Sequence, residues 1–286
     1  MSSDPEYAYE AALNNVDHVN SIAWSECRLN PMKGCTKCSP ECGPVGKKGG
    51  CYSPLWAWRH TCMGTDGYEN VVTRNAITGV SEFTGRVNVV PKEYGKIRKF
   101  KSGMMVFVNS MSDTFHKEVP SDELTKLFDG MNSRPDVIFQ ILTKRSARMA
   151  EMNIPVHKNI WMGVTCGCKA SLYRLDDLRR VNAKTRWVSV EPLLEELDLS
   201  PWLADGTLQW VVVGGQSGAT APQHRLKISW VKKIKDDCQR YGVAFFFKQW
   251  SGVRPKTQTP YPPVLDGQIW HQYPGDAANP VDQANR

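Results

Sequence analysis

From about residue 85 the chain alternates short runs of β-type apolar residues with stretches that suit helices, and this alternation constrains the fold more than any other feature. The runs fall at 86–90, 104–109, 137–142, 160–165, 186–190, 209–213 and 244–247. They are rich in Val, Ile, Phe and Trp with little polar alternation, as expected for strands covered on both faces. Helix candidates lie between them at 121–131, 171–181 and 229–240. Ser121 is placed to cap the first, with Asp122 and Glu123 in its opening turn. The last shows Trp230, Ile234 and Cys238 four apart and ends at Gly242. Strand–helix alternation predicts a parallel sheet with right-handed crossovers. With an early strand before Cys35 the count reaches about eight. The expectation is an α/β fold, a (β/α) barrel, complete or partial. It would span 21–250, preceded by an arm at 1–20 and followed by an irregular C-terminal strap at 251–286. That extension holds six of the 18 prolines.

Composition narrows the class. Hydrophobic residues make up 41% and charged residues 23%, which excludes wholesale disorder. Even the longest apolar runs, 243–247 among them, are far too short to cross a bilayer. The N-terminus carries no basic-then-apolar pattern, so a soluble cytoplasmic protein is expected. The net charge of +7 is compatible with a polyanionic partner. Nine cysteines, an odd number without an export signal, argue against a disulfide framework.

In folds of this kind the active site lies at the carboxyl ends of the strands. There the sequence places Ser110, Ser112 and Asp113, then Thr143 and Lys144, then Cys166, then Glu191, then Gly214, Gly215, Gln216 and Ser217, and finally Lys248. Acid, amide, hydroxyl and cation at successive strand ends would line one concave mouth. No GxGxxG, phosphate-loop or HExxH motif accompanies them.

The segment 30–52 reads NPMKGCTKCSPECGPVGKKGGCY. Gly, Pro, Lys and Ser surround its thiols, so they do not belong to a core segment. Cys35, Cys38, Cys42 and Cys51 suit a tetrahedral zinc site, and thiolates so spaced also suit an iron–sulfur cluster. Spacing alone leaves both open.

NPMKGC, then SPEC, then CYS resembles the cysteine loop of radical S-adenosylmethionine (SAM) enzymes, and specifically a phage-associated branch of them. The later stretches VFVNSMSDTFHKEVP, FQILTKR, SVEPLL, VVVGGQSG and FFFKQW also resemble that branch, in order, from about Trp24 to Trp250. The resemblance implies that Cys35, Cys42 and Cys51 bind a 4Fe–4S cluster whose fourth iron chelates SAM. The family usually has two residues between its second and third cysteines, and here there are eight, rich in glycine, with Cys38 as a competing ligand.

The resemblance further implies reductive cleavage of SAM to a 5′-deoxyadenosyl radical, with the protein positioning the cofactor and excluding water. On this expectation Ser110, Ser112, Asp113, Thr143, Gly214–Ser217 and Lys248 contact SAM or substrate. Lys144 and Glu191 act in catalysis, and Cys166 donates hydrogen to a product radical. The branch is implicated in rearranging amino-acid-modified thymine in viral DNA. The implied partners are therefore DNA and an electron donor such as flavodoxin or ferredoxin, with the protein a monomer. The basic run KIRKFK at 96–101 would contact phosphate. The competing expectations are a radical SAM lyase that repairs DNA lesions, and a non-enzymatic, zinc-stabilised nucleic-acid-binding protein.

Overall fold

The structure, a computed structural model, describes residues 22–275 apart from Lys48 and Asn153. The expected arm at 1–20 and the end of the strap therefore lie outside the described residues. The strands are β1 (Cys27–Leu29), β2 (Met32–Lys33), β3 (Val72–Arg74), β4 (Ser81–Phe83), β5 (Asn88–Val89), β6 (Met105–Val108), β7 (Ile138–Thr143), β8 (Ile160–Thr165), β9 (Thr185–Val190), β10 (Trp210–Gly214), β11 (Ala244–Gln249), β12 (Val264–Leu265) and β13 (Gln268–Ile269). β1 and β6 to β11 form a seven-stranded sheet in the order β1-β6-β7-β8-β9-β10-β11, parallel at every pairing. The sheet curls into a half-barrel, and the α/β expectation holds in this partial form.

One strand expectation fails. Of the run at 86–90 only β5 forms, and it pairs antiparallel with β2 outside the parallel sheet. Its Arg-Val-Asn-Val alternation offers a single apolar side, whereas a sheet strand here needs two. Seven parallel strands, not eight, result.

The outer face packs on helices. In α2 (Ser121–Asn132) Leu124, Leu127, Phe128 and Met131 are buried, one stripe at helical spacing. Ser121 makes no capping bond; Pro120 holds the N-cap position and Asp122 and Glu123 sit against the positive helix end. In α6 (Ile228–Arg240) the buried stripe is Val231, Ile234, Lys235 and Cys238, and Trp230 is only half-buried. Strand residues Val106, Phe139, Val164, Val188, Val211 and Phe245 meet these helices in one apolar core.

The inner face is different. Phe107, Trp161, Trp187, Trp210, Val212 and Phe246 point into the half-barrel, where Trp24 packs among them. Trp24 lies 5.1 Å from the ring of Trp187 and 6.1 Å from that of Trp210. This aromatic plug fills the amino-terminal end of the lumen.

The C-terminal strap is less irregular than expected. Past the β12–β13 hairpin its backbone runs along the edge of β11, with Phe247 N donating to Trp270 O (2.7 Å) and Gln272 N to Phe245 O (3.1 Å). It thus satisfies the edge of the sheet. His271 stacks on Phe246 at 4.2 Å.

The segment between the cysteine loop and β5, for which the sequence offered no reading, forms helix α1 (Ser53–Cys62) and the β3–β4 hairpin. They close over a small core of Ala57, Tyr68, Val71, Val72 and Met111. No described helix is long and apolar enough to cross a membrane.

Candidate active site

At the carboxyl ends of the strands a cavity of about 370 Å³ opens above the aromatic plug. Its floor is apolar, with Trp24, Phe107 and Leu142, and its upper wall is polar. Of the residues singled out in the sequence, Cys35, Cys42, Cys51, Ser110, Ser112, Asp113, Thr143, Lys144, Glu191, Gly215, Gln216, Ser217 and Lys248 all line it. Gly214 and Cys166 do not. Cys166 is fully buried in the outer core, where Ser171 Oγ donates to its sulfur (3.5 Å), and burial pushes its thiol up to about 12. A thiol so placed does not open on the cavity.

The cysteine loop returns on itself. Cys51 N donates to Cys42 O (3.1 Å), so the eight-residue insert leaves and re-enters at one narrow neck. Gly43 and Gly50, at φ 78° and 79°, form that neck, and a Cβ on Gly43 would stand 2.5 Å from Gly50 Cα. The second and third cysteines are thereby neighbours despite the longer spacing.

The three thiols face one cavity, although among the described residues no group of three His, Cys, Asp or Glu side chains stands ready-made around a single ion position. Burial pushes Cys35 up to about 12, and Arg145 Nη1 lies 3.7 Å from its sulfur. Hydrogen bonding from the Cys38 thiol, with Lys144 nearby, holds Cys42 well below the ordinary thiol range. Cys38 itself is exposed and does not line the cavity. Three soft donors with two flanking cations match the chemistry of a thiolate-bound cluster of net negative charge.

Several polar residues at the strand ends bind other parts of the protein. The Asp113 carboxylate accepts from Phe115 N (3.0 Å), Thr143 Oγ1 (2.6 Å), Lys144 N (3.0 Å) and Arg145 Nη1 (2.9 Å). It clamps the loop after β7, and through Arg145, which donates to Thr36 O (3.0 Å), it also clamps the cysteine loop. Ser110 Oγ donates to Asn30 Oδ1 (3.0 Å) and Ser112 Oγ to Gly34 O (2.6 Å), so both tie β6 to the start of that loop. Gln216 Nε2 bonds Thr220 Oγ1.

Other groups remain available. Burial disfavours the charge on Lys144, but Cys42, Cys51, Asp113 and Glu41 outweigh it and hold its pKa above the ordinary value; no ion pair of Lys144 is found among the described residues. Lys248 Nζ donates to both oxygens of Glu191, at 2.6 and 2.7 Å. Gly214 serves this pair from outside the cavity lining, because a Cβ there would lie 3.2 Å from the Glu191 carboxyl carbon. Gly215 is required for a separate reason: a Cβ would lie 2.3 Å from Ser251 N, where the strap begins.

Sequence reasoning missed Glu41, Arg28, Arg145 and Lys256. Glu41 sits in the turn Pro40–Cys42 with Oε1 accepting from Gly167 N (3.0 Å) and facing Arg174 (3.5 Å), while its buried Oε2 has no hydrogen-bond partner among the described residues. Arg145 was legible as the third residue of Thr-Lys-Arg after β7. Arg28 lies on a strand of three residues, and Lys256 comes from the strap in helix α7 (Pro255–Gln258); neither carries a local signal. Counting ionised side chains, the cavity is lined by the cations Arg28, Lys37, Lys144, Arg145, Lys248 and Lys256 against the carboxylates Glu41, Asp113 and Glu191.

Neither a curated protein nor a solved structure matches the chain. Residues 19–274 match the family described as "Protein of unknown function (DUF5131)", and the chain belongs to that family.

Proposed function

We propose that the chain is a radical SAM enzyme that acts on a modified thymine base in DNA and rearranges its amino-acid substituent. The observation that carries this reading is the meeting of Cys35, Cys42 and Cys51 at one cavity, with no other cysteine in its lining. Three thiolates leave one iron of a 4Fe–4S cubane without a protein ligand, which is where SAM would chelate. Bound there, the cluster would supply the electron that cleaves SAM.

The chain's own residues then have physical tasks. Asp113 and Arg145 hold the cysteine loop against the end of β7. Lys144 and Arg145 offset the negative charge of thiolates and sulfide. Trp24, Phe107 and Leu142 form a dry floor that keeps water from a reactive intermediate. Glu191 and Lys248 offer a carboxylate and an ammonium to a substrate carrying both charges. An excess of cations over carboxylates favours a polyanionic substrate, and a base must leave its stack to reach such a cavity. Trp56, exposed at the rim beside Arg59 (4.8 Å), offers a face on which a neighbouring base stacks.

The test is anaerobic reconstitution with iron and sulfide, followed by metal analysis and an assay for SAM cleavage. The expected result is about four irons per chain and 5′-deoxyadenosine. Cys35→Ala, Cys42→Ala and Cys51→Ala should each abolish iron binding, and Cys38→Ala should spare it. Stoichiometric zinc without cleavage, or loss of metal in Cys38→Ala but not in Cys51→Ala, would overturn the reading.

A further inference from the structure

Four elements distant in sequence bring charge to one part of the cavity: β1 with Arg28, the end of β9 with Glu191, β11 with Lys248, and α7 of the strap with Lys256. β1 and β11 are the two edges of the half-barrel, so this cluster spans its open seam. Glu191 is already paired through both oxygens with Lys248. The Arg28 side chain makes no hydrogen bond or ion pair among the described residues, although it lines the cavity. Three cations thus face one carboxylate.

We infer that Arg28, Lys248 and Lys256 form an anion subsite that holds a phosphate or carboxylate group of the substrate. This rests on the function proposed above only in taking the substrate to be a nucleotide.

Two further observations support it. Burial, with Lys248 next, pushes the Lys256 ammonium down to about 8; Arg28 acts in the same direction and Glu191 opposes it. That is the response of a partly buried ammonium with like charges beside it, and an anion placed between them would raise its pKa again. The strap that carries Lys256 is also firmly seated: Gly252 N donates to Gln216 O (3.0 Å), Gly218 N to Gly252 O (3.2 Å), and Gly215 is in close contact with Ser251. Lys256 is therefore delivered to the cavity by a fixed backbone. Of the contacts expected from sequence for Lys248, with SAM or substrate, the inference selects substrate.

Phosphate and carboxylate share the chemistry this subsite recognises, and three ligands separate them: thymidine, thymidine 5′-monophosphate and 5-carboxy-2′-deoxyuridine. Each is titrated calorimetrically into the full chain and into Arg28→Gln and Lys256→Gln, with thermal melting to check that the variants fold. The expected result is that one anion binds about tenfold or more tighter than thymidine, and that both variants lose this preference while their affinity for thymidine stays the same. Preference for the monophosphate assigns the subsite to the DNA backbone; preference for the carboxylate assigns it to the base substituent. Equal binding of all three ligands, binding of none, or a preference that survives in both variants would overturn the inference. A chain that binds no iron yet keeps the anion preference would sink the radical chemistry and leave the subsite standing. Iron and SAM cleavage without anion preference would sink the subsite alone.

Discussion

At the amino end of the inner sheet face the ring of Trp210 lies 5.5 Å from that of Trp161 and 5.0 Å from that of Trp187, and Trp24 packs among them. Four positions further along the same strands stand Thr165 after Trp161, Glu191 after Trp187 and Gly214 after Trp210. Strand geometry alternates faces with period two, so both sets belong to one inner surface. The lower set is packed and closed. The upper set borders a cavity whose lining also holds charges without an ion pair among the described residues, such as Lys144 and Arg28. The lower lumen therefore contributes stability and the upper lumen is free for chemistry.

The largest expected effect tests that division directly. Trp210→Ala removes a ring that touches Trp24, Trp161, Trp187, Phe246 and Tyr273, and should cost about 3–5 kcal/mol in urea denaturation. Glu191→Gln at the mouth breaks a partly solvated ion pair and should cost no more than about 1 kcal/mol. Equal losses in the two variants would erase the distinction between floor and mouth.

Asp113 is the exception that sharpens it. It lines the mouth, yet its carboxylate accepts four hydrogen bonds and is mostly buried against Arg145. Asp113→Asn leaves Arg145 without its counter-charge and should cost about 3 kcal/mol. It should also loosen the cysteine loop, read as faster alkylation of Cys35. A variant that stays stable with unaltered Cys35 reactivity would mean that the clamp is ornamental.

Two groups, Glu41 at the mouth and His271 at the other end, should lose their contributions at different acidities. Burial alone would raise the pKa of Glu41, but hydrogen bonds from Ser171, Ser39 and Gly167 and the charge of Arg174 outweigh it and hold it at about 2, below the ordinary 4.5. A depressed carboxylate stabilises the fold fully above its unfolded value, so this contribution is lost as pH falls from 4.5 toward 2. His271, under the floor, is pushed down to about 4 from 6.5 by burial, with an opposing hydrogen bond at Phe247. Its neutral form belongs to the fold, so its contribution is lost earlier, as pH falls from 6.5 toward 4. His116, near the mouth beside Thr36, shares that earlier window. Melting curves of His271→Asn and Glu41→Gln against the unaltered chain isolate each part. The first variant should flatten the upper window and the second the lower; the reverse assignment would show that the shifts have other owners.

The sheet was legible because a parallel strand covered on both faces needs an unbroken apolar run, as at Ile160–Thr165. The strand ends then followed from topology, and thirteen of the residues singled out share the cavity. The failures have a common physical cause. Arg28, Lys256 and the Cys42–Cys51 neck depend on contacts between segments far apart in the chain, and no local pattern encodes them. Cys166 followed a strand end like the others, but Ser171 and the outer core claim its side chain. Asp113 was read as a ligand contact, although four donors from its own protein surround it.

The smallest expected effect bears on a reading of charge. KIRKFK looks like a phosphate-binding run, but Ile97 is buried and Phe100 packs on Phe139, so the run is the solvated side of an amphipathic turn. Lys101 O accepts from Met104 N just before β6 begins, whereas the cavity lies past the other end of that strand, at Asn109 to Asp113. Lys99 and Lys101 thus lie at the opposite end of β6 from the mouth. Replacing both with Gln should leave DNA affinity within about twofold and leave the salt slope as it was, while Lys37→Gln, at the mouth, should flatten that slope by about one charge. The opposite pattern would move the nucleic acid to the amino end of the sheet and leave the cations of the cavity to a small anion alone.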